Sequence, residues 1–530
     1  MKRRTFLAGL GAAAASTAVS KPALAQAAGS RVLKFTPQTS LLVLDPSTTT
    51  ITPSNNHGYC VFDQLYSIDS KYSARPQMAA GHTVSGDQLT WDIKLRPNLK
   101  FHDGERVLAK DCVASIKRWW QRDSFGGNLR NHTDDVLAVD DDTIRFRLKK
   151  PFGILPDALA HPLAAPLFIM PERIAHPDAT KPVTEMVGSG PLKWIAKEFV
   201  PSQHAAYERN LAYVPRDEKP DGASGAKIMY FDRVEWISIP DFATSAAALQ
   251  AGEIDWWEIA QFDLLDVLRA NKDVTVTVAD PGFVILARFN CGTAPFNNPA
   301  LRRVVAQSVN QNDMTQAVVG AEPSLQNECY SMYNCMLPGI EQPGKSLMSS
   351  APKDYKALTE AAKKAGYNGE KIVLFRVSDN ALTAPASSVM LDTLKKIGFN
   401  VELQSMDLNT MMVRRTSQAP VSEGGWSIFL TQKGTAVSAN PVVDVIARGQ
   451  GLKGWPGNYD DPQLEAMIND WTGIDDPKAR MAQTTKIQER LFENMPFVPL
   501  GGFSMMTAFR SNLTGYIPGT AVVPWGMRRV

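Results

Sequence analysis

The sequence predicts a mixed α/β protein of more than one domain, on three observations. The chain has 530 residues, which at ordinary domain size means about three domains. Residues 89–96 and 143–149 alternate polar and apolar side chains with period two, the pattern of a half-exposed antiparallel sheet. Residues 354–406 read as helix, strand, helix, strand, which calls for a partly parallel layer. Hydrophobic content of 44% and charged content of 21% are globular values.

At the N-terminus, Arg3-Arg4-Thr5-Phe6-Leu7 is a twin-arginine pattern, and an Ala/Gly-rich apolar run to Val19 follows it. Ala23-Leu24-Ala25 then supplies the small-x-small site of a signal peptidase. The run is too short to span a hydrocarbon core of about 30 Å. Residues 1–25 are therefore expected to be a removable twin-arginine signal peptide, and the mature protein to be periplasmic. No cysteine near the cleavage site offers a lipid anchor, so a freely soluble protein is expected.

Of the strands, 89–96 is bounded by the Asp-Gly turn of His102-Asp103-Gly104, and 143–149 follows an Asp-Asp-Asp turn. Asp241 is placed to cap a helix running to Gln250, with Gly252 beyond its end. Asn298-Pro299 opens a helix over 300–310. Helices over 355–365 and 386–397 stop at Gly366 and Gly398, and strands at 371–377 and 399–405 follow them. Asp476-Pro477 opens a long helix with Met481, Thr484, Gln488, Leu491 and Phe492 on one face, and Pro496 stops it.

Charge and motifs exclude several function classes. Lys+Arg is 56 and Asp+Glu is 54; without the signal's four basic residues the mature chain is near −2, with no footprint for nucleic acid. Gly339 to Ser346 spells a phosphate-loop pattern, but Pro343 removes an amide from the cradle and Glu341 would repel phosphate. The flanking segments read as neither strand nor helix, so this is expected to be a surface loop. The seven histidines form no His-x-x-x-His pair and no Cys-x-x-Cys exists, so neither a metal nor any other cofactor is expected. No hydrolase signature appears. Cys329 and Cys335, six positions apart, are expected to form a disulfide in an oxidising compartment, the alternative being two buried thiols. Trp426 and Trp455 lie among glycines and are candidates for lining a pocket, whereas Trp119-Trp120 and Trp256-Trp257 suit a core.

Leu89-Thr-Trp-Asp-Ile-Lys-Leu-Arg-Pro-Asn-Leu-Lys-Phe-His-Asp-Gly104, followed by Ala109-Lys-Asp111, resembles the signature of the family 5 solute-binding proteins. Further stretches fit in the same order: Gly188-Ser-Gly-Pro-Leu-Lys with Glu208-Arg-Asn, and Ile239-Pro-Asp-Phe-Ala-Thr with Leu249-Gln-Ala-Gly-Glu-Ile-Asp255. Phe289-Asn290 with Pro295-Phe296 and Leu301-Arg302, Asn458-Tyr-Asp-Asp-Pro-Gln-Leu-Glu, and Gln488-Glu with Pro496-Phe-Val-Pro-Leu500 complete the series. The resemblance spans nearly the whole mature chain.

The resemblance implies the two-lobed periplasmic binding protein fold of class II, cluster C type, with an extra sub-domain in the first lobe. Lobe 1 would cover 31–285 and 500–530, with the sub-domain at about 60–180, and lobe 2 would cover 286–499. It implies a receptor, expected as a monomer and not an enzyme, that encloses a small-molecule ligand and delivers it to the membrane permease subunits of an ABC importer. The expected ligand-binding residues are Asn55, His57 and Tyr59 from the first lobe and Gln432, Lys433, Asn440 and Trp455 from the second. Peptide receptors of the family meet the ligand's amine with an aspartate on the loop after the strand matching Ile428-Phe429-Leu430. Here that loop, Thr431 to Pro441, holds no acid and does hold Lys433. A desolvated ammonium needs a counter-charge, so a neutral or anionic solute is expected rather than an ordinary peptide. A dipeptide or oligopeptide, with Glu423 or Asp444 as the acid, is the alternative. An exported enzyme is a second, and a nickel or haem receptor a third that the sparse histidines oppose.

Overall fold

The computed structural model describes residues 31–162, 165–349, 352–519 and 521–530. The signal peptide expected at 1–25 lies outside them. Among the described residues, no helix is long and apolar enough to cross a membrane.

The fold is two-lobed because one twisted sheet runs through both halves of the molecule. Among the described residues it has eleven strands. From one edge the order is Asn400–Met406, Lys371–Val377, Ile428–Lys433, Val274–Phe289, Phe497–Arg510, Trp256–Ala260, Val32–Thr36, Arg233–Ile237, His204–Arg209 and Leu192–Trp194, and Gln326–Asn327 is added beside Phe503. Two antiparallel strands, Val274–Phe289 and Phe497–Arg510, carry the chain from one half to the other. On one side only the Met506–Phe509 end of the second pairs with Trp256–Ala260. On the other side only Val284–Phe289 pairs with Ile428–Lys433. Between these ends the register shifts at 278/280, 280/283 and 284/286, around Asp280-Pro281-Gly282. Irregularities of this kind bend a strand and locally interrupt its ladder.

The early period-two segments form the centre of a separate sheet. Thr90–Leu95 and Thr143–Leu148 pair antiparallel, flanked by Ala79–Val84 and Thr133–Ala138. Helix Ala109–Trp119 lays Cys112, Ile116 and Trp119 on it. This sub-domain touches the far half directly, where Gly153 N donates to Thr472 O (3.2 Å) and His132 Nε2 lies 3.3 Å from Thr472 Oγ1.

Local signals act where the sequence placed them. Asp241 accepts from Thr244 N, and Gly252 ends that helix in the left-handed region at φ 76°. Asn298 accepts from Ala300 N to open Pro299–Ser308, which ends two residues earlier than expected. Lys371–Val377 and Asn400–Met406 are parallel neighbours joined by helix Ala384–Lys396. Helix Pro477–Asn494 buries Thr484, Ile487, Gln488, Leu491 and Phe492; Met481 is only half-buried. The phosphate-loop look-alike is a mostly exposed loop, although a four-residue helix, Lys345–Met348, does follow Gly344. Cys329 and Cys335 are bonded, and Cys60, Cys112 and Cys291 are free.

Candidate functional site

Tyr72 lines three small cavities, two of them between the halves and one walled by the first half alone. The largest of these three, of about 300 Å³, is walled by Ile154 and Asp157 from the first half and by Leu337, Asn440 and Arg480 from the second; a more open one of about 680 Å³ lies between the sub-domain and the second half, away from Tyr72. A second, about 40 Å³, adds Phe125, His161 and Ala436. A third, about 90 Å³, reaches Pro281 at the bend of the connecting strand and Gly519 near the C-terminus.

Local chemistry explains how Tyr72 comes to stand there. It ends the turn between strands Tyr66–Ile68 and Ala74–Pro76. Asp69 organises that turn by accepting from Lys71 N and Ser73 N, both at 2.9 Å. Tyr72 itself takes φ 60°. A bulky residue in the left-handed region costs energy that the surrounding turn must hold in place. The phenol lies near Asp280 and Thr435, and burial, ahead of the Asp280 charge, pushes its pKa up.

The bend itself is a polar knot. Thr435 Oγ1 donates to Gly282 O at 3.0 Å, and Asn334 Nδ2 grips the same carbonyl. A Cβ on Gly282 would sit 1.7 Å from Thr435 Oγ1, so the strand can pass here only without a side chain. Asp280 accepts from Gly282 N, and burial raises its pKa to about 6. Glu258, on the strand Trp256–Ala260, accepts from Gln38 N (2.7 Å) and Asn56 Nδ2 (3.1 Å), and burial raises its pKa to about 7.

Of the seven residues expected to bind ligand, only Asn440 lines these cavities. Its Oδ1 accepts from Val442 N and Val443 N, which shapes the loop. Asn55, His57 and Tyr59 sit on helix Thr52–Val61, which is buried along nearly its whole length. His57 has both ring nitrogens occupied, by Tyr207 Oη (2.9 Å) and Met186 Sδ (3.4 Å), and Trp194 packs on its ring edge. Burial holds its pKa down at about 3. Tyr59 packs edge-on against Phe168 and donates to Pro162 O. Asn55 Oδ1 is buried without a partner. This helix packs inside the first half, against Tyr207, Met186 and Phe168, which periodicity cannot show.

Lys433 differs most from expectation. It is buried, donates to Met332 O (2.7 Å) and pairs with Asp444 (2.5 Å), so its charge is cancelled inside the second half. The same pair consumes Asp444, one of the two acids that the peptide alternative needs. Glu423 is exposed in a turn, Val421–Glu423, that also lies away from these cavities. Gln432 lies opposite Ile285 with its Oε1 buried and unpartnered. Trp455 is sandwiched among Arg288, Arg415 and Phe429, and Trp426 is core between Phe375 and Phe429.

Tyr72, Asp157, Asp280 and Arg480 were not anticipated. The Asp69-Ser-Lys-Tyr-Ser turn and the Asp280-Pro-Gly break were readable as irregularities, but not as neighbours in space. Among the described residues no group of His, Cys, Asp and Glu could hold a metal ion.

The model of the bacterial extracellular solute-binding proteins, family 5, matches residues 73–445. A relative from Sinorhizobium fredii (strain NBRC 101917 / NGR234), named a probable peptide ABC transporter periplasmic-binding protein, is 36% identical over 537 residues, covering 100% of this chain and 99% of its own. The substrate-binding protein CtaP of Listeria monocytogenes superposes with a TM-score of 0.78 at 18% identity, covering 94% of this chain and 99% of that one. The binding protein AgaA of A. tumefacien R10, solved with agropinic acid, superposes with 0.75 at 19% identity, covering 94% and 99%. At these identities the two structures establish a shared fold.

Proposed function

The chain belongs to the bacterial extracellular solute-binding proteins, family 5, and from that premise we propose that it is a periplasmic receptor delivering a small organic solute to the permease of an ABC importer. Its lobes would be 31–285 with 500–530, and 286–499, exported under the twin-arginine signal and working as a monomer. The carrying observation is the pair of adjoining cavities with walls from both halves, close to the bend in the connecting strand Val274–Phe289. In that geometry a solute touches both lobes at once, and closing them around it needs only a change at the bend. The protein returns its solute unchanged; no catalytic group is needed.

The solute is neutral or anionic. The loop 431–440 brings no free acid to the cavities, and Asp444 is already spent on Lys433; the acid that does line the largest of the three, Asp157, shares it with Arg480, which suits a solute of no net positive charge. Lys433 offers the solute no charge for the same reason; Asn440 remains as the binding residue of the original seven. A peptide is the second reading, favoured by the name of the Sinorhizobium relative. The fold does not dictate it, since one neighbour holds agropinic acid.

Native mass spectrometry of mature protein purified gently from the periplasm tests both readings. A stoichiometric small molecule, released intact on denaturation, is the expected result, and its mass and charge give its class. An amine-bearing peptide mass would overturn the neutral-or-anionic reading. Chemical conversion of the solute on incubation would overturn the receptor.

A further inference from the structure

The interlobe cavity of about 300 Å³ beside Tyr72 is lined by two charged side chains that have no ion-pair partner among the described residues. We propose that Arg480 and Asp157 are the two polar ends of the solute site, and that the solute is a short organic acid bearing a hydrogen-bond donor at its other end. The inference rests on the receptor reading and adds the solute's chemistry.

Arg480 comes from helix Pro477–Asn494 and Asp157 from the short helix Leu155–Leu159, on opposite sides of the cleft. Both line the same cavity of about 300 Å³. Among the described residues Arg480 makes no ion pair, and its Nη1 is buried without a hydrogen bond. Its guanidinium lies over Trp471, 5.6 Å from the ring centroid. Asp157 receives no hydrogen bond from any other described residue. Burial is what raises its pKa, and the nearby Arg480 charge opposes this in part. The two groups sense each other, yet they are not within ion-pair distance.

Leaving a charge desolvated and unpaired is costly, and proteins rarely do so without a function. A solute carboxylate on Arg480 would take the fork's free N–H, and a hydroxyl or ammonium would donate to Asp157. Ile154, Leu337, Ile340 and Met481 wall the space between, which suits a short hydrocarbon stem. Because the two ends belong to different lobes, the same contacts that bind the solute would favour the closed form.

The test is calorimetric titration of the full mature protein with ω-amino and ω-hydroxy acids of three to six carbons, against the matching plain acids and plain amines. At least one bifunctional acid is expected to bind ten-fold or more tightly than its monofunctional partners, and the amino and hydroxy arms show which donor Asp157 prefers. Arg480→Gln and Asp157→Asn are each expected to weaken that binding ten-fold or more, with Arg480→Lys in between. Thermal melts of the empty variants supply an independent reading. Removing an unpaired buried charge should leave the melting temperature unchanged or raised. If each single variant melts lower and the double variant recovers, the two residues pair with each other and the inference is overturned. Equal affinity for monofunctional acids, or no binding by any member of the ladder, also overturns it. A native mass spectrum showing a solute without an acid group would end this inference and leave the receptor standing; one showing conversion of the solute would end the receptor.

Discussion

Single residues decide how this protein responds to pH and to loss of charge. His57 is held at about 3 by burial, against about 6.5 for a free imidazole. The unfolded chain therefore binds the extra proton first. The stability His57 contributes is present above pH 6.5 and is lost as pH falls toward 3. Glu258 and Asp280 act in the opposite sense. Their folded values, about 7 and about 6, exceed those of the free carboxylates, so their contribution is present at acid pH and is lost as pH rises through 6 to 7. Urea midpoints of the wild type and of His57→Gln from pH 3 to 7 should show a flatter acid limb in the variant; superimposable profiles would place the titration elsewhere. Lys433 makes a different prediction. Lys433→Met leaves Asp444 buried and uncompensated, which costs about 3–5 kcal/mol. Adding Asp444→Leu should recover most of that loss in denaturant titrations. Solute affinity in the recovered double variant should match the wild type, because the pair is internal; a large affinity loss there would return Lys433 to the site.

At the scale of elements, the bend at Asp280-Pro281-Gly282 is the sensitive point. Gly282→Ala drives a Cβ into Thr435 Oγ1, and overpacking of this kind costs about 1–3 kcal/mol. The damage should fall more on solute affinity than on melting temperature, since the bend sets how the two halves meet. Thr435→Ala in the same chain removes the clashing hydroxyl, along with its bond to Gly282 O, and should restore part of the affinity. If the double variant binds no better than Gly282→Ala alone, the contact does not govern the cleft. Elsewhere elements are locally determined. The caps at Asp241, Asn298, Asp354 and Asp476 each accept from a backbone amide two or three residues on, and these contacts require nothing distant.

For the whole molecule, one sheet crossing both halves would make the proposed closure around a solute a concerted change. Small-angle scattering should show a smaller radius of gyration when the copurified solute is returned to stripped protein. An unchanged profile would mean that the lobes do not move on binding. The contacts of Thr472 with Gly153 and His132 lie on the sub-domain side of the cleft and would form and break with that motion.

What could be read from the chain was whatever depends on near neighbours. Period-two segments 89–96 and 143–149 became paired strands, and the unit from 354 to 406 became a parallel layer, because pleat and capping act over a few residues. The ordered series of family stretches named the fold and the kind of receptor. The site was only faintly legible. Helix Thr52–Val61 carries His57 and Tyr59 in a pattern that suits a pocket or a core equally, and the sheet behind it decided for core. Lys433 and Asp444 stand eleven positions apart with nothing local to pair them. Tyr72 and Asp157 come from the first half and Arg480 from the second, far apart along the chain, and only the fold brings them to one cavity. Sequence alone determined the elements, the fold and the family, since these follow from short-range stereochemistry and order along the chain. Which charges are cancelled and which face the cleft was decided by tertiary structure, because desolvation and ion pairing depend on distances through space.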